Sequence, residues 1–266
     1  MMAGAIATPE HIDYLLRLGD SSLVLGQRLA EWTGHGPVLE EDIAMANIAL
    51  DLIGQARLLL THAGKLEGKG RDEDALAYFR DARAFRSFTI CELPNSGLGK
   101  GHTQSADYAF TVVRNVLFCG WQAQLWERLA QSADAELAAI AAKSAKETAY
   151  HLRHAADWTI RFGDGTAESH GRAQRALDQL MPYTNELFAP DAIDDAMERA
   201  GAGVRGAELH AGWKSLVEAI LDDATLKMPA ASGFQSTGKS GIHSEHFDYL
   251  LLEMQSVARQ HPGARW

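Results

Sequence analysis

Eleven histidines are the side chains of this 266-residue chain best suited to hold a metal or move a proton. Carboxylate-bridged di-iron centres in helical bundles use a Glu from each of two helices and a Glu-x-x-His pair from each of two others, because a three-residue spacing puts both ligands on one helix face. None of the eleven histidines has an acidic residue three positions before it. The nearest approaches are Glu147 and His151, four apart; His151 and His154, three apart; and the run His243-Ser244-Glu245-His246 with Asp248 behind it. His243 and His246 can share a face at the start of a helix and are the one candidate metal pair by spacing, but two histidines fall short of the ligand count a metal needs.

Two glycine motifs point to nucleotides. Gly233-Phe234-Gln235-Ser236-Thr237-Gly238-Lys239-Ser240 is a formal P-loop, and Gly201-Ala202-Gly203-Val204-Arg205-Gly206 is a GxGxxG. Each works only where a strand precedes the loop and a helix follows it. The residues before the first, Leu216 to Leu226, have helical spacing and are broken by Met228-Pro229. The second follows a charged helical segment, Asp191 to Ala200. The expectation is a Gly/Ser-rich surface loop for one and a helix–helix linker for the other, with no nucleotide affinity.

Helical periodicity runs almost throughout, and no segment alternates like a strand. In the first helix Leu15, Leu18, Ser22, Leu25, Leu29 and Trp32 form a stripe, with Asp13, Arg17, Asp20 and Glu31 expected opposite and Val24 interrupting that polar face. A second helix, Glu40 to His62, is apolar on most sides and is expected to be buried against several neighbours. A short stretch follows from Asp72 to Ile90. Long helices are expected over Gln104–Gln131 and Ala135–Arg161, and shorter ones over Glu168–Asn185, Asp191–Ala200, Ala207–Leu226 and His243–Gln260. On the second helix Asn47, Asp51 and Gln55 recur every four residues and suggest a buried polar network with Arg153, Arg114 or His151 as partners. The fold class is therefore all-α, a long-helix bundle with additional packed helices. Residues 1–10 read as a disordered extension and 11–266 as one domain.

The formal charge of −10 argues against nucleic acid and anionic membranes. A 46% hydrophobic composition supports a sizeable core. Cys91 and Cys119 stand in apolar helical surroundings, suggest no disulfide framework and fit a reducing compartment. The first residues lack the features of a signal peptide, and no apolar stretch is expected to cross a bilayer. These features together suggest a cytoplasmic protein.

Several longer motifs resemble one family. Arg17-Leu18-Gly19-Asp20, Gln27-Arg28-Leu29-Ala30-Glu31-Trp32, Ala46-Asn47-Ile48-Ala49-Leu50-Asp51-Leu52-Ile53-Gly54-Gln55-Ala56-Arg57, Lys146-Glu147, Tyr150-His151-Leu152-Arg153, Gly241-Ile242-His243-Ser244-Glu245-His246, Pro262-Gly263 and Trp266 are similar to the PaaC subunit family of bacterial phenylacetyl-CoA epoxidases. The resemblance implies a ferritin-like fold and a place in a multicomponent monooxygenase of phenylacetate catabolism. It further implies a related catalytic subunit, PaaA, that carries the di-iron centre, and a reductase that uses NADPH, FAD and an iron–sulfur cluster. Laid against the catalytic relatives, the ligand positions fall at Ser22, Leu52, Gln55, Cys119, Thr148 and His151 of this chain, on the inward sides of the helices. Only His151 is a ligand type. The resemblance thus implies a structural, non-catalytic subunit with no cofactor of its own, paired with the di-iron subunit over a large helical interface. Val24 and the apolar second helix are the expected interface, and Val24→Asp is expected to weaken pairing more than Lys239→Ala. The alternatives are an oxygenase with its own unusual metal site and a nucleotide-binding protein.

Overall fold

The computed structural model describes residues 8–98 and 105–264. Helices α1 (Pro9–Ala30) and α2 (Leu39–Glu67) form a long antiparallel hairpin. The segment after it holds only α3 (Glu73–Tyr78), a 3₁₀ turn at Ala82–Ala84 and α4 (Thr89–Glu92). Then come α5 (Tyr108–Leu129) and α6 (Ala135–Gly163), a second long pair. Smaller helices follow: α7 (Ala167–Leu180), α8 (Asn185–Phe188), α9 (Ala192–Arg199), α10 (Gly206–Asp223) and α11 (Phe247–Gln260). The described residues contain no strand, only an isolated bridge between Thr237 and Ile242. The all-α bundle expected from periodicity is thus the architecture found: α1, α2, α5 and α6 at the centre, with α7 and α10 laid on α5.

Local chemistry sets the boundaries. Thr8 caps α1, with Pro9 at its first position, so the helix starts within the stretch expected as an extension; residues 1–7 lie outside the described residues. Gly68 ends α2 in the left-handed conformation at φ 67°. Asp107 Oδ1 accepts from Ala109 N at 2.9 Å and starts α5; Gln104, the expected start, lies outside the described residues. Pro182 turns the end of the expected 168–185 helix into 3₁₀. The expected 72–90 stretch is broken because Arg80 folds back onto the carbonyls of Leu76 and Ala84 and onto Asp20. The last helix begins at Phe247, so His243 to His246 form a turn ahead of it.

Three expectations about faces change. Arg17 and Asp20 are buried, not opposite the core: Arg17 pairs with Asp191 and Asp194 at 2.7 Å each, and Asp20 holds Arg80. Ion pairing is what lets these charges leave water. Val24 is 0% exposed and belongs to the core of this chain, so it is no part of an outer surface. The helix buried on nearly all sides is α5, not α2. One face of α2 lies on α1 and another meets α6, while Leu39 (72% exposed), Ile43, Leu50 (66%), Ile53 and Leu58 remain open to solvent among the described residues. Helix α2 also departs from the expectation that no stretch could cross a bilayer. By length and composition it is apolar enough, but half of its most apolar window is buried against other helices.

Candidate functional site

Ser22 on α1, Leu52 and Gln55 on α2, Cys119 on α5, and Thr148 and His151 on α6 are all buried. Each long helix turns its apolar stripe inward, so a residue on that stripe enters the core whether or not it is apolar. Ser22 Oγ, Thr148 Oγ1 and His151 Nδ1 make no hydrogen bond within the protein. Burial pushes the Cys119 thiol up to about 12, so it stays protonated and is a poor metal ligand.

The polar contacts between α2 and α6 form a two-rung ladder. His151 Nε2 lies 3.0 Å from Asp51 Oδ2, and Gln55 Nε2 donates to Glu147 Oε2 at 3.0 Å. The four-residue spacing on each helix matches because the helices run antiparallel. Lys143 also pairs with Glu147 from the solvent side. Burial lowers the His151 pKa, against the opposing pull of Asp51, so the ring is held neutral. Farther along, Glu41 accepts from Tyr108 Oη at 2.5 Å and lies 2.8 Å from His154 Nε2. Burial pushes the Glu41 carboxyl up, but these bonds outweigh it and hold it below the usual range.

The expected Asn47–Asp51–Gln55 network is therefore only partly internal. Asn47 is exposed, Asp51 sits at the solvent edge and Gln55 is fully buried. His151 is the partner foreseen. Arg114 is bound elsewhere: it donates to Leu93 O at 2.6 Å and Asn95 Oδ1 at 2.7 Å, and burial lowers its pKa to about 10.

A di-iron centre would need bridging carboxylates to neutralise and join two cations. The residues at the six positions supply one imidazole, one neutral amide, two hydroxyls, a protonated thiol and a leucine. This donor set does not fit the centre. The two carboxylates nearby, Asp51 and Glu147, point to the edge and already hold His151, Gln55 and Lys143.

The C-terminal histidines serve the fold. His243 stacks on Phe247 with ring centroids 4.1 Å apart, and its Nδ1 lies 2.6 Å from buried Glu92 Oε1. Glu92 also accepts from Ser244 N at 2.8 Å. His246 offers its carbonyl to Arg28. The P-loop pattern is equally committed. Lys239 is buried; its amino group meets Ala189 O, Asp191 and Asp194, and its backbone N donates to Glu186 Oε1 at 2.7 Å. The expected surface loop is thus an anchored one. The segment 201–206 joins α9 to α10, as expected of a linker.

One cluster has no counterpart among the sequence motifs. His11, His62 and Asp134 converge from three helices. They lie 51 and 72 residues apart, beyond any periodic signal; the only local hint was Asp134 standing as a helix-capping residue.

Four long helices with shorter ones packed around them, and no strand among the described residues, define an all-α bundle protein of the ferritin-like kind. The family model described as "Phenylacetic acid catabolic protein" matches residues 2–266, and the chain belongs to that family. Within it the chain is 44% identical over 253 residues to the C component of the 1,2-phenylacetyl-CoA epoxidase of Escherichia coli (strain K12). That match covers 95% of this chain and 98% of the relative. The relative's name places it in a multicomponent assembly, and a subunit of an epoxidase of phenylacetate catabolism is what this chain is similar to.

Proposed function

We propose that this chain is the structural, non-catalytic subunit of a phenylacetyl-CoA epoxidase in the cytoplasm, and that it holds a PaaA-like di-iron subunit in its active shape. The observation that carries the reading is the set of buried residues at the six positions, Ser22, Leu52, Gln55, Cys119, Thr148 and His151, of which none supplies a carboxylate. On this reading the chain carries no di-iron centre or other redox cofactor, and NADPH, FAD and iron–sulfur chemistry belong to a reductase. Support for a helical partner comes from the open face of α2, where Leu39, Ile43, Leu50 and Ile53 recur at helical spacing. A contiguous apolar strip on a long, rigid helix is a docking face for another amphipathic helix. The deciding experiment is anaerobic Fe²⁺ loading of the isolated chain followed by elemental analysis. Iron well below two per chain, with no aryl-CoA turnover, is expected. Two irons per chain that are lost in His151→Ala would sink the proposal.

A further inference from the structure

Away from the bundle centre, the N-terminus of α1, the C-terminal end of α2 and the start of α6 meet. His11 Nε2 lies 2.8 Å from Asp134 Oδ2, and His62 Nε2 lies 2.7 Å from the same oxygen. The two rings stand edge to face at 87° with centroids 6.1 Å apart. All three ligand atoms fall within 4.8 Å of one another, the one group of three or more His, Cys, Asp or Glu to do so among the described residues. His11 and Ser22 are eleven residues apart on one helix, about 16 Å at 1.5 Å per residue, so this cluster is not the bundle-centre position.

The roles of the atoms are divided. Asp134 Oδ1 caps α6, accepting from Glu136 N at 3.0 Å and Leu137 N at 3.1 Å. That fixes the carboxylate and leaves Oδ2 alone to face the two imidazoles. Glu136 Oε2 sits 3.2 Å from His62 Nδ1, off the line of a hydrogen bond but close enough to favour a proton there. In the ion-free chain the Nε2–H of each ring donates to Asp134 Oδ2; a bound cation takes the place of those protons, and Glu136 beside Nδ1 of His62 favours the tautomer with the proton there. Carboxylates behind metal-bound histidines fix the tautomer in this way. Lys65, 2.7 Å from Glu136 Oε1, balances the second carboxylate.

We propose that His11, His62 and Asp134 form a binding site for a borderline divalent cation of the zinc type. Two imidazoles and one carboxylate, with no thiolate and no ring of carbonyl oxygens, match Zn²⁺ or Co²⁺ and disfavour Ca²⁺ and Mg²⁺. Tetrahedral coordination at 2.0–2.2 Å places donors about 3.3 Å apart, so each ring withdraws by roughly half an ångström. His11 can do this: its side chain is 16% exposed and sits in the first turn of α1. The same opening lets water take the fourth position and gives the ion a way in. The bound ion staples the starts of α1 and α6 to the end of α2. The site belongs to the isolated chain and is independent of any pairing with a catalytic partner.

The test uses the full chain, stripped with a chelator and titrated with Co²⁺, followed by visible d–d absorption and by competition with Zn²⁺. One Co²⁺ per chain with tetrahedral bands, displaced by Zn²⁺, is expected. His62→Ala and His11→Ala should each weaken binding at least tenfold, while His35→Ala, at an exposed position, and His151→Ala leave it unchanged. Circular dichroism checks that each variant is folded; His11→Ala, partly exposed at a helix end, is the variant least prone to misfold. Absence of tetrahedral bands at millimolar Co²⁺, or binding unaltered in folded His11→Ala, overturns the site.

Discussion

Leu50→Asp tests whether the open face of α2 is where this chain meets its partner. Leu50 is 66% exposed in the isolated chain, so replacing it costs little there. Surface substitutions change stability by about 0.5 kcal/mol, and the lower helix propensity of Asp adds a few tenths. The Tm of the free chain should fall by less than about 3 °C. In a complex the balance differs. Fully burying a leucine contributes about 1.5–3 kcal/mol, so the two-thirds now open contributes roughly 1–2 kcal/mol. An aspartate there also brings a carboxylate out of water without a partner, a further 2–3 kcal/mol or so. The sum, about 3–5 kcal/mol, weakens association at least a hundredfold. The assay is co-expression with the di-iron subunit, affinity capture of one partner and titration calorimetry of the purified pair, beside Val24→Asp. Val24 is fully buried, so its variant should lose more than about 4 kcal/mol and fail by unfolding, not by losing a surface. Wild-type affinity in folded Leu50→Asp would show that α2 is not the docking face. A large loss of stability in the free chain would show that Leu50 is packed there and not open to solvent.

Asp20→Ala should cost about 3–5 kcal/mol, roughly a 10 °C fall in Tm, because it leaves the buried Arg80 guanidinium unpaired; an unchanged melting curve would contradict that. His151, its pKa lowered by burial from an ordinary 6.5, should remain neutral in the folded chain at pH 6.5 and titrate below that value by NMR. The unfolded chain then binds the proton first, so this residue's contribution to stability is full above pH 6.5 and is lost as pH falls toward the folded pKa; titration at or above 6.5 would refute it. Asp134, whose own burial penalty is outweighed by hydrogen bonds from His11 and His62, is held well below the carboxylate range. Its contribution should persist above the ordinary value of 3.8 and decline below it, and Asp134→Asn should flatten that acid limb in chemical denaturation.

Local rules were enough to read the helices from the amino-acid order. A 3.6-residue apolar period identifies a helix wherever it packs, but the ends set by Thr8, Gly68 and Asp107 differ by several residues from those the period implied, because a stripe marks a helix's face and not its caps. The same period placed Ser22, Cys119, Thr148 and His151 inward, because a stripe stays on its face regardless of the partner. The absence of acidic-x-x-His pairs was likewise visible in the order of residues alone. Which charges are buried was not. Arg17 and Asp20 looked like a polar face until Asp191, Asp194 and Arg80 arrived from 174, 177 and 60 residues away. Val24 and Leu50 are both apolar residues on apolar helices, yet one is core and the other surface, since only the packing of α1 and α2 against their neighbours decides which face is covered. Lys239 carried the P-loop spacing and was claimed by Asp191 and Asp194. His11, His62 and Asp134 have no shared period or motif; three separate helix ends must meet before two imidazoles and a carboxylate face one another, and that meeting is a property of the tertiary fold.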